Sequence, residues 1–195
     1  WSSDVCSSDL LEDDSPVAGI KWIASFPGNV AAGRDRASAM LIVNDRRTGY
    51  PLACLEGSVI SAARTAASAI VGASCLHSTP GTIRQLGVVG CGPIAYRTVR
   101  MLVGLGWQIG GLMACDLSAE RAVLFLDKCA ALDLRGTRGD ADATLSSSDM
   151  ILFATSAVRP GDYLPAWFDH APTVLNLSLR DLSPAIVMAA QNVAD

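Results

Sequence analysis

Hydrophobic and polar positions change rhythm along the chain, and each change marks a different kind of element. The run Gly19 to Phe26, Gly-Ile-Lys-Trp-Ile-Ala-Ser-Phe, is rich in β-formers and predicts a strand. Residues 38–44 and 50–55, Ser-Ala-Met-Leu-Ile-Val-Asn and Tyr-Pro-Leu-Ala-Cys-Leu, flank Asp45-Arg-Arg-Thr-Gly49, the turn chemistry of a hairpin. A mixed or antiparallel sheet is therefore expected first. From Gly57 to His77 the chain is apolar or small on almost every side, enough for five turns of helix, and Ser78-Thr-Pro-Gly81 ends it.

After Pro80 strand and helix patterns alternate. Leu86–Gly90 reads as strand, Ile94 to Leu105 as helix and Ile109–Cys115 as strand, and a helix then opens at Asp116-Leu-Ser-Ala-Glu120. A helix-like stretch near Asp140–Ser146 precedes a strand over Met150–Thr155. Another strand over Thr173–Leu179 precedes Ser183-Pro184, an N-cap and first helical residue, and the sequence reads as helix from there to Asp195. Strand and helix at this spacing predict a parallel sheet with right-handed crossovers. The fold class expected is α/β, a Rossmann-type parallel sheet preceded by a mixed-sheet domain.

Composition narrows the function classes. Of 195 residues, 50% are hydrophobic and 17% charged, which excludes general disorder. A net charge of −4 gives no broad basic surface, so no nucleic-acid partner is expected. Gly, Ser and charge cut the apolar stretches short of the roughly 18 residues that span a bilayer, so no membrane partner is expected either. The cysteines at 6, 54, 75, 91, 115 and 129 form no CxxC pair, and reduced, mostly buried thiols in a cytoplasmic protein are expected.

The opening decapeptide, Trp1-Ser-Ser-Asp-Val-Cys-Ser-Ser-Asp-Leu10, is unlike anything after it and resembles the translation of a sequencing-adapter read. Residues 1–10 are set aside from fold and function on that ground. Without Asp4 and Asp9 the balance is 15 basic against 17 acidic side chains, a net charge of −2.

The sharpest chemical signal is Gly90-Cys91-Gly92-Pro93-Ile94-Ala95, which follows an apolar β-run and opens a helix. In GxGxxA the first glycine permits the tight turn, the second lets backbone approach a pyrophosphate, and the small last residue lets helix meet strand. The helix N-terminus adds unpaired N–H groups. Asp116 ends the next strand, 26 residues after Gly90, where an acid can accept from the adenosine ribose; it could equally cap the helix beyond it. A carboxylate there repels a 2′-phosphate, so the cofactor expected is NAD. Cys91 is incidental, because pyrophosphate contacts use backbone. His77 and His170 have no ligand spacing with each other or with the cysteines, so no metal is expected.

Three charges stand apart. Arg64 is the only charged residue between Glu56 and Arg84. It either reaches solvent or a protein carboxylate, or clamps a substrate carboxylate through two parallel hydrogen bonds. Lys21 lies on the face of its strand opposite Ile20 and Trp22, an ordinary place for an exposed lysine. Asp181 follows a strand at the carboxyl end of the parallel sheet, where ligands bind in this architecture. With Ser183 supplying the next cap, Asp181 has no evident structural task.

Together, Gly19-Ile-Lys-Trp-Ile23, Thr48-Gly-Tyr-Pro51, Ser61-Ala-Ala-Arg-Thr-Ala-Ala-Ser68 and Gly90-Cys-Gly-Pro-Ile-Ala95 resemble the ornithine cyclodeaminase/mu-crystallin family over residues 15 to 195. Within it, Lys21-Trp-Ile-Ala-Ser-Phe-Pro27 and Leu177-Ser-Leu-Arg-Asp-Leu182 look most like the branch that makes 2,3-diaminopropionate for siderophores and related natural products. Ornithine cyclodeaminases tend to carry a Gly-rich segment before the aspartate, and Leu177-Ser-Leu-Arg180 departs from it. The resemblance implies that Arg64 clamps the substrate carboxylate, Lys21 lies near that carboxylate and the reacting carbon, and Asp181 handles the substrate amine or water. It implies a substrate-binding and dimerisation domain over residues 11–80, incomplete here, an NAD-binding domain over 81–195, further chain beyond both ends, and a homodimer when full length. The implied reaction is NAD-dependent oxidative hydrolysis of N-(1-amino-1-carboxy-2-ethyl)glutamate, a small amino-acid-derived substrate, to 2,3-diaminopropionate and 2-oxoglutarate. Two alternatives stand beside it: a cyclodeaminase, amino-acid dehydrogenase or ketimine reductase, and a non-catalytic crystallin-like nucleotide binder.

Overall fold

The computed structural model describes residues 6–7, 16–178 and 180–193. Two compact units divide the chain, Trp1–Ala62 and Ala63–Asp195, and the division falls inside a helix. In the first unit β1 (Cys6–Ser7), β2 (Val17–Ser25), β3 (Ala37–Asp45) and β4 (Pro51–Glu56) form an antiparallel sheet in that order. The β3–β4 turn is made as its residues predict. Asp45 Oδ1 accepts from the N–H groups of Arg47 and Thr48 at 2.9 and 2.7 Å, and Gly49 takes φ +75°. Residues 1–5 and 8–10 of the decapeptide lie outside the described residues. Cys6 and Ser7, set aside from the sequence, nonetheless pair with Lys21 and Ile20, because the outer edge of β2 carries open backbone donors and acceptors that a short extended segment satisfies.

Helix α1 spans Ser58–Leu76. Against the expectation from the sequence, its length and composition are enough to cross a membrane. Alanine, glycine and serine scarcely lower its hydropathy, and Arg64 is its one charge. Within the second unit its Ile70 and Ala73 join the core of the parallel sheet, and of its nineteen residues Ala66, Ile70 and Ala73 are buried.

That sheet is built from β6 (Leu86–Val89), β8 (Leu112–Cys115), β9 (Gly136–Arg138), β10 (Met150–Phe153) and β11 (Thr173–Asn176), all parallel, in the order β11-β10-β6-β8-β9. Helices α2 (Pro93–Gly104), α3 (Ala119–Ala130) and α4 (Ala141–Ser147) are the crossovers. Strands β6 and β10 are buried along their whole length, as near-continuous apolar runs in a covered parallel sheet should be. The strand order reverses between β6 and β10, and the carboxyl ends of those two strands are where this architecture opens a ligand crevice.

Three expectations are corrected. The strand expected over 109–115 breaks at Gly110-Gly111, leaving β7 (Gln108–Ile109) to pair with β5 (Thr82–Ile83). A Cβ on Gly110 would stand 2.8 Å from the Arg84 carbonyl oxygen, so backbones cross too closely there for a regular ladder. The helix expected to run to the last residue, α5 (Pro184–Met188), stops after five residues, and the Asn192 side-chain amide donates to the Val187 and Ala190 carbonyls. Of the cysteines, Cys91 and Cys129 are buried and Cys115 half-buried, but Cys54 and Cys75 are exposed, since β4 and the last turn of α1 turn them away from packed surface.

Candidate functional site

The loop after β6 is forced by what surrounds it. Gly90 sits at φ +89°, and a Cβ there would stand 2.7 Å from the Ala154 carbonyl oxygen, so only glycine lets the loop pass the end of β10. Its N–H donates to the Cys115 carbonyl at 2.8 Å, on the other flanking strand. Gly92 is the N-cap of α2 and differs from Gly90: nothing lies within 4 Å of where its Cβ would be. Pro93 takes the first helical position, Ile94 follows, and Ala95, fully buried, brings α2 against the sheet. The first-turn N–H groups have no partner within the helix. An open Gly92 over an unpaired helix N-terminus is a cradle that fits a pyrophosphate.

Asp116 does more than the sequence suggested. Its Oδ2 accepts from the Cys91 N–H at 2.8 Å and its Oδ1 from the Ser118 N–H at 2.9 Å. The cap of α3 is Ser118, whose hydroxyl accepts from the Arg121 N–H at 3.3 Å, so Asp116 is free of that task and instead pins the glycine loop. Cys91 points inward. Burial and then the negative charge of Asp116 push its thiol up to about 12, so it stays protonated and is no nucleophile.

Asp181 is also at the carboxyl edge of the sheet and is only 1% exposed. Its Oδ1 accepts from the Thr155 hydroxyl, its backbone carbonyl accepts from the Gly161 N–H at 3.0 Å, and its Oδ2 has no hydrogen-bond partner. Sequence reasoning assigned it no structural task; the Thr155 bond is one. Burial first, then the Asp181 charge, push the nearby Tyr163 phenol up to about 12. Tyr163 stacks between Phe153 and Trp167, with ring centroids 5.5 and 6.4 Å away.

The loop that carries Gly90, Gly92, Pro93, Ile94 and Ala95 is thus joined to Asp116 through the Cys91 N–H, and Asp181 reaches the same strand ends through Thr155. Lys21 belongs to the first unit, where it is half-buried on β2 and donates to the Ser61 hydroxyl at 3.5 Å. Arg64 is exposed on α1 and makes no ion pair among the described residues, which leaves its guanidinium uncommitted. Thr155 was missed. A hydroxyl directly after the apolar run of β10, at the point where strand order reverses, is the signal that could have found it. The two histidines make hydrogen bonds. His77 bridges the Thr173 hydroxyl and the Thr82 carbonyl at 2.8 and 3.1 Å, and His170 contacts the Ser148 carbonyl at 2.7 Å.

Comparison with known proteins agrees with this fold. The family described as ornithine cyclodeaminase/mu-crystallin matches residues 8–164. The chain is similar to N-((2S)-2-amino-2-carboxyethyl)-L-glutamate dehydrogenase of Staphylococcus aureus, 27% identical over 183 residues, 91% of this chain and 53% of that protein. It is similar to a Delta(1)-pyrroline-2-carboxylate reductase of Paracoccus denitrificans, 31% identical over 158 residues, 75% of this chain and 49% of that one. The crystal structure of CmnK superposes with a TM-score of 0.83 at 26% identity, covering 97% of this chain and 56% of that one. The chain spans about half the length of the curated relatives it matches.

Proposed function

This chain belongs to the ornithine cyclodeaminase/mu-crystallin family, and from that premise we propose that its protein is an NAD-dependent oxidoreductase acting on a carbon–nitrogen bond of an amino acid. The observation that carries the reading is the loop at the strand-order reversal, with Gly90 pressed on the end of β10, open Gly92 and Asp116 fastened to the loop backbone. The fold and loop suit a dinucleotide. The Asp116 charge disfavours a 2′-phosphate.

The substrate we propose is N-(1-amino-1-carboxy-2-ethyl)glutamate. It is supported by the similarity to the Staphylococcus aureus dehydrogenase and by Leu177-Ser-Leu-Arg180 in place of the Gly-rich segment of ornithine cyclodeaminases. The Gly90–Ala95 loop and Asp116 would hold the dinucleotide, whose nicotinamide would supply the acceptor for the hydride of the glutamate Cα. The residues of this chain do the rest by holding and proton handling. Arg64 clamps a substrate carboxylate so that the Cα–H is presented in one orientation. Loss of hydride and of the N–H proton leaves a carbon–nitrogen double bond in the substrate. Asp181 steers water to that carbon, and Lys21 supplies the proton that the departing amine needs. Carbon–nitrogen cleavage then gives 2-oxoglutarate and 2,3-diaminopropionate, so one water is consumed and one NADH and one proton are formed. Supply of diaminopropionate for siderophores or related natural products is the role that goes with this reaction.

A homodimer is part of the proposal. Trp22 and Met40 are neighbours on one face of the antiparallel sheet and remain 54% and 48% exposed, a surface suited to a second copy.

The test is a substrate screen that follows NADH appearance. NADH and 2-oxoglutarate from the glutamate adduct are expected, and ammonia and proline from ornithine would overturn the substrate. Arg64→Ala should abolish turnover and leave NAD affinity near normal, whereas Asp116→Ala should weaken NAD binding. A second reading, reduction of a cyclic imino acid, is favoured by the similarity to the Paracoccus denitrificans reductase. NADH consumption with Delta(1)-pyrroline-2-carboxylate would establish it.

A further inference from the structure

We propose that Thr155 is a positioning residue that sets Asp181 in register with the cofactor loop. The proposal rests on the role given to Asp181 above. Thr155 stands where the two parts meet. On its backbone side, the Ala154 N–H donates to Val89 at 2.9 Å, and a Cβ on Gly90 would lie 2.9 Å from the Thr155 Cα, so the loop and Thr155 are in direct contact. Its own N–H donates to the Ser178 hydroxyl at 3.1 Å, which fixes Thr155 against the segment after β11. On its side-chain side, the hydroxyl donates to Asp181 Oδ1 and accepts from the Ala157 N–H at 3.0 Å. A hydroxyl has one proton, and the Ala157 N–H occupies an acceptor site, so the Thr155 proton is directed at the carboxylate.

The consequence falls on the other carboxylate oxygen. With Oδ1 held, the Asp181 carboxylate cannot rotate freely, and Oδ2, buried and without a partner, keeps its lone pairs for an incoming N–H or O–H donor. A substrate amine or a water supplies such a donor. Thr155 therefore acts on the reaction through Asp181, and its contact with the loop ties the acid to the glycine loop.

Thr155→Val removes the proton and keeps the shape; Thr155→Ser keeps the proton. Each is examined in the purified protein by crystallography, NAD titration and steady-state kinetics. In Thr155→Val the Asp181 carboxylate is expected to turn from its place. kcat should fall about 10–100-fold, the range that a lost supporting contact costs, while NAD affinity stays within about twofold and Thr155→Ser restores both position and kcat. A tie that merely holds the loop would lower stability without this split. Asp181 unmoved in Thr155→Val, or no restoration by Thr155→Ser, overturns the proposal. Should Thr155→Val fail to fold, Ser178→Ala frees the Thr155 backbone and leaves its hydroxyl. It too should displace Asp181, and an unmoved carboxylate counts against the proposal. A wild-type protein that binds NAD and oxidises no amino acid overturns the oxidoreductase reading alone, because the crystallographic comparison still decides the role of Thr155.

Discussion

Asp149 shows how much one side chain can organise at the unglamorous end of a parallel sheet. Its two carboxylate oxygens accept from the N–H groups of Arg84 and Gln85 at 3.0 and 2.8 Å, and its backbone carbonyl accepts from Thr173 at 2.9 Å, so it joins the entries to β6, β10 and β11. Burial pushes this carboxyl up, but the backbone N–H groups of Gln85 and Arg84 and the Arg84 charge outweigh it, and the net shift is downward. A depressed folded value means the stabilisation is present above the unfolded carboxyl range, near 4, and is lost as pH falls through the folded value. Asp149→Ala should lower unfolding stability by about 1–3 kcal/mol at pH 7, because two backbone donors lose their partner. The gap between variant and wild type in urea unfolding should narrow as the solution is acidified below about pH 4. The sequence offered Asp149 only as a polar residue before a strand. Its partners lie 64 and 65 positions away, beyond the reach of any local pattern.

At the scale of the element, the two loop glycines separate fold from ligand. Gly90 combines a left-handed backbone with a backbone oxygen where its Cβ would be, whereas Gly92 has an ordinary φ of −87° and open space. Gly90→Ala should cost about 1–3 kcal/mol through strain before the oxygen contact is counted. Gly92→Ala should change stability by less than about 0.5 kcal/mol. If the cradle holds a pyrophosphate, Gly92→Ala should still weaken NAD binding, because the methyl fills the approach to the helix N-terminus. Thermal unfolding beside an NAD titration measures both, and equal losses of stability would contradict the reading of the loop. The glycine loop and the strands around it were legible because a Rossmann turn is a local device, written in consecutive residues. Its fastening to Asp116 was not, since the choice between capping α3 and holding Cys91 depends on how two loops meet in space. The break at Gly110-Gly111 escaped for the same reason. Gly-Gly fits a strand pattern until another backbone crosses it.

Taken as a whole molecule, the chain joins two kinds of sheet with different protection. Strands β6 and β10 lie at the centre of a covered parallel sheet and are buried throughout, whereas β4 is an edge strand whose residues are mostly exposed. Amide hydrogen exchange should be slowest in β6 and β10 and much faster in β4, although all three are paired, because opening an edge exposes little apolar surface. Comparable protection in β4 would mean that its edge and face are covered in solution. The sequence carried this division as a change from hairpin to strand-helix alternation, but it set the boundary near Pro80. The compact units part within α1, a helix whose first turn and remaining turns fall in different units. Its near-uniform small and apolar surface gives no sign of where one set of contacts ends.

The double attachment of Asp116 bears on how this site could change over time. In folds of this type, preference for a phosphorylated or unphosphorylated ribose is commonly adjusted at the acid that ends the second strand. Here that same carboxylate anchors the glycine loop through the Cys91 N–H. A replacement that admits a 2′-phosphate by removing the acceptor oxygen would also release the loop, so a drift toward the other dinucleotide needs either a neutral residue that keeps an acceptor at this place or a second anchor. If Asp116 also accepts from the ribose, selectivity and loop architecture are coupled through one side chain.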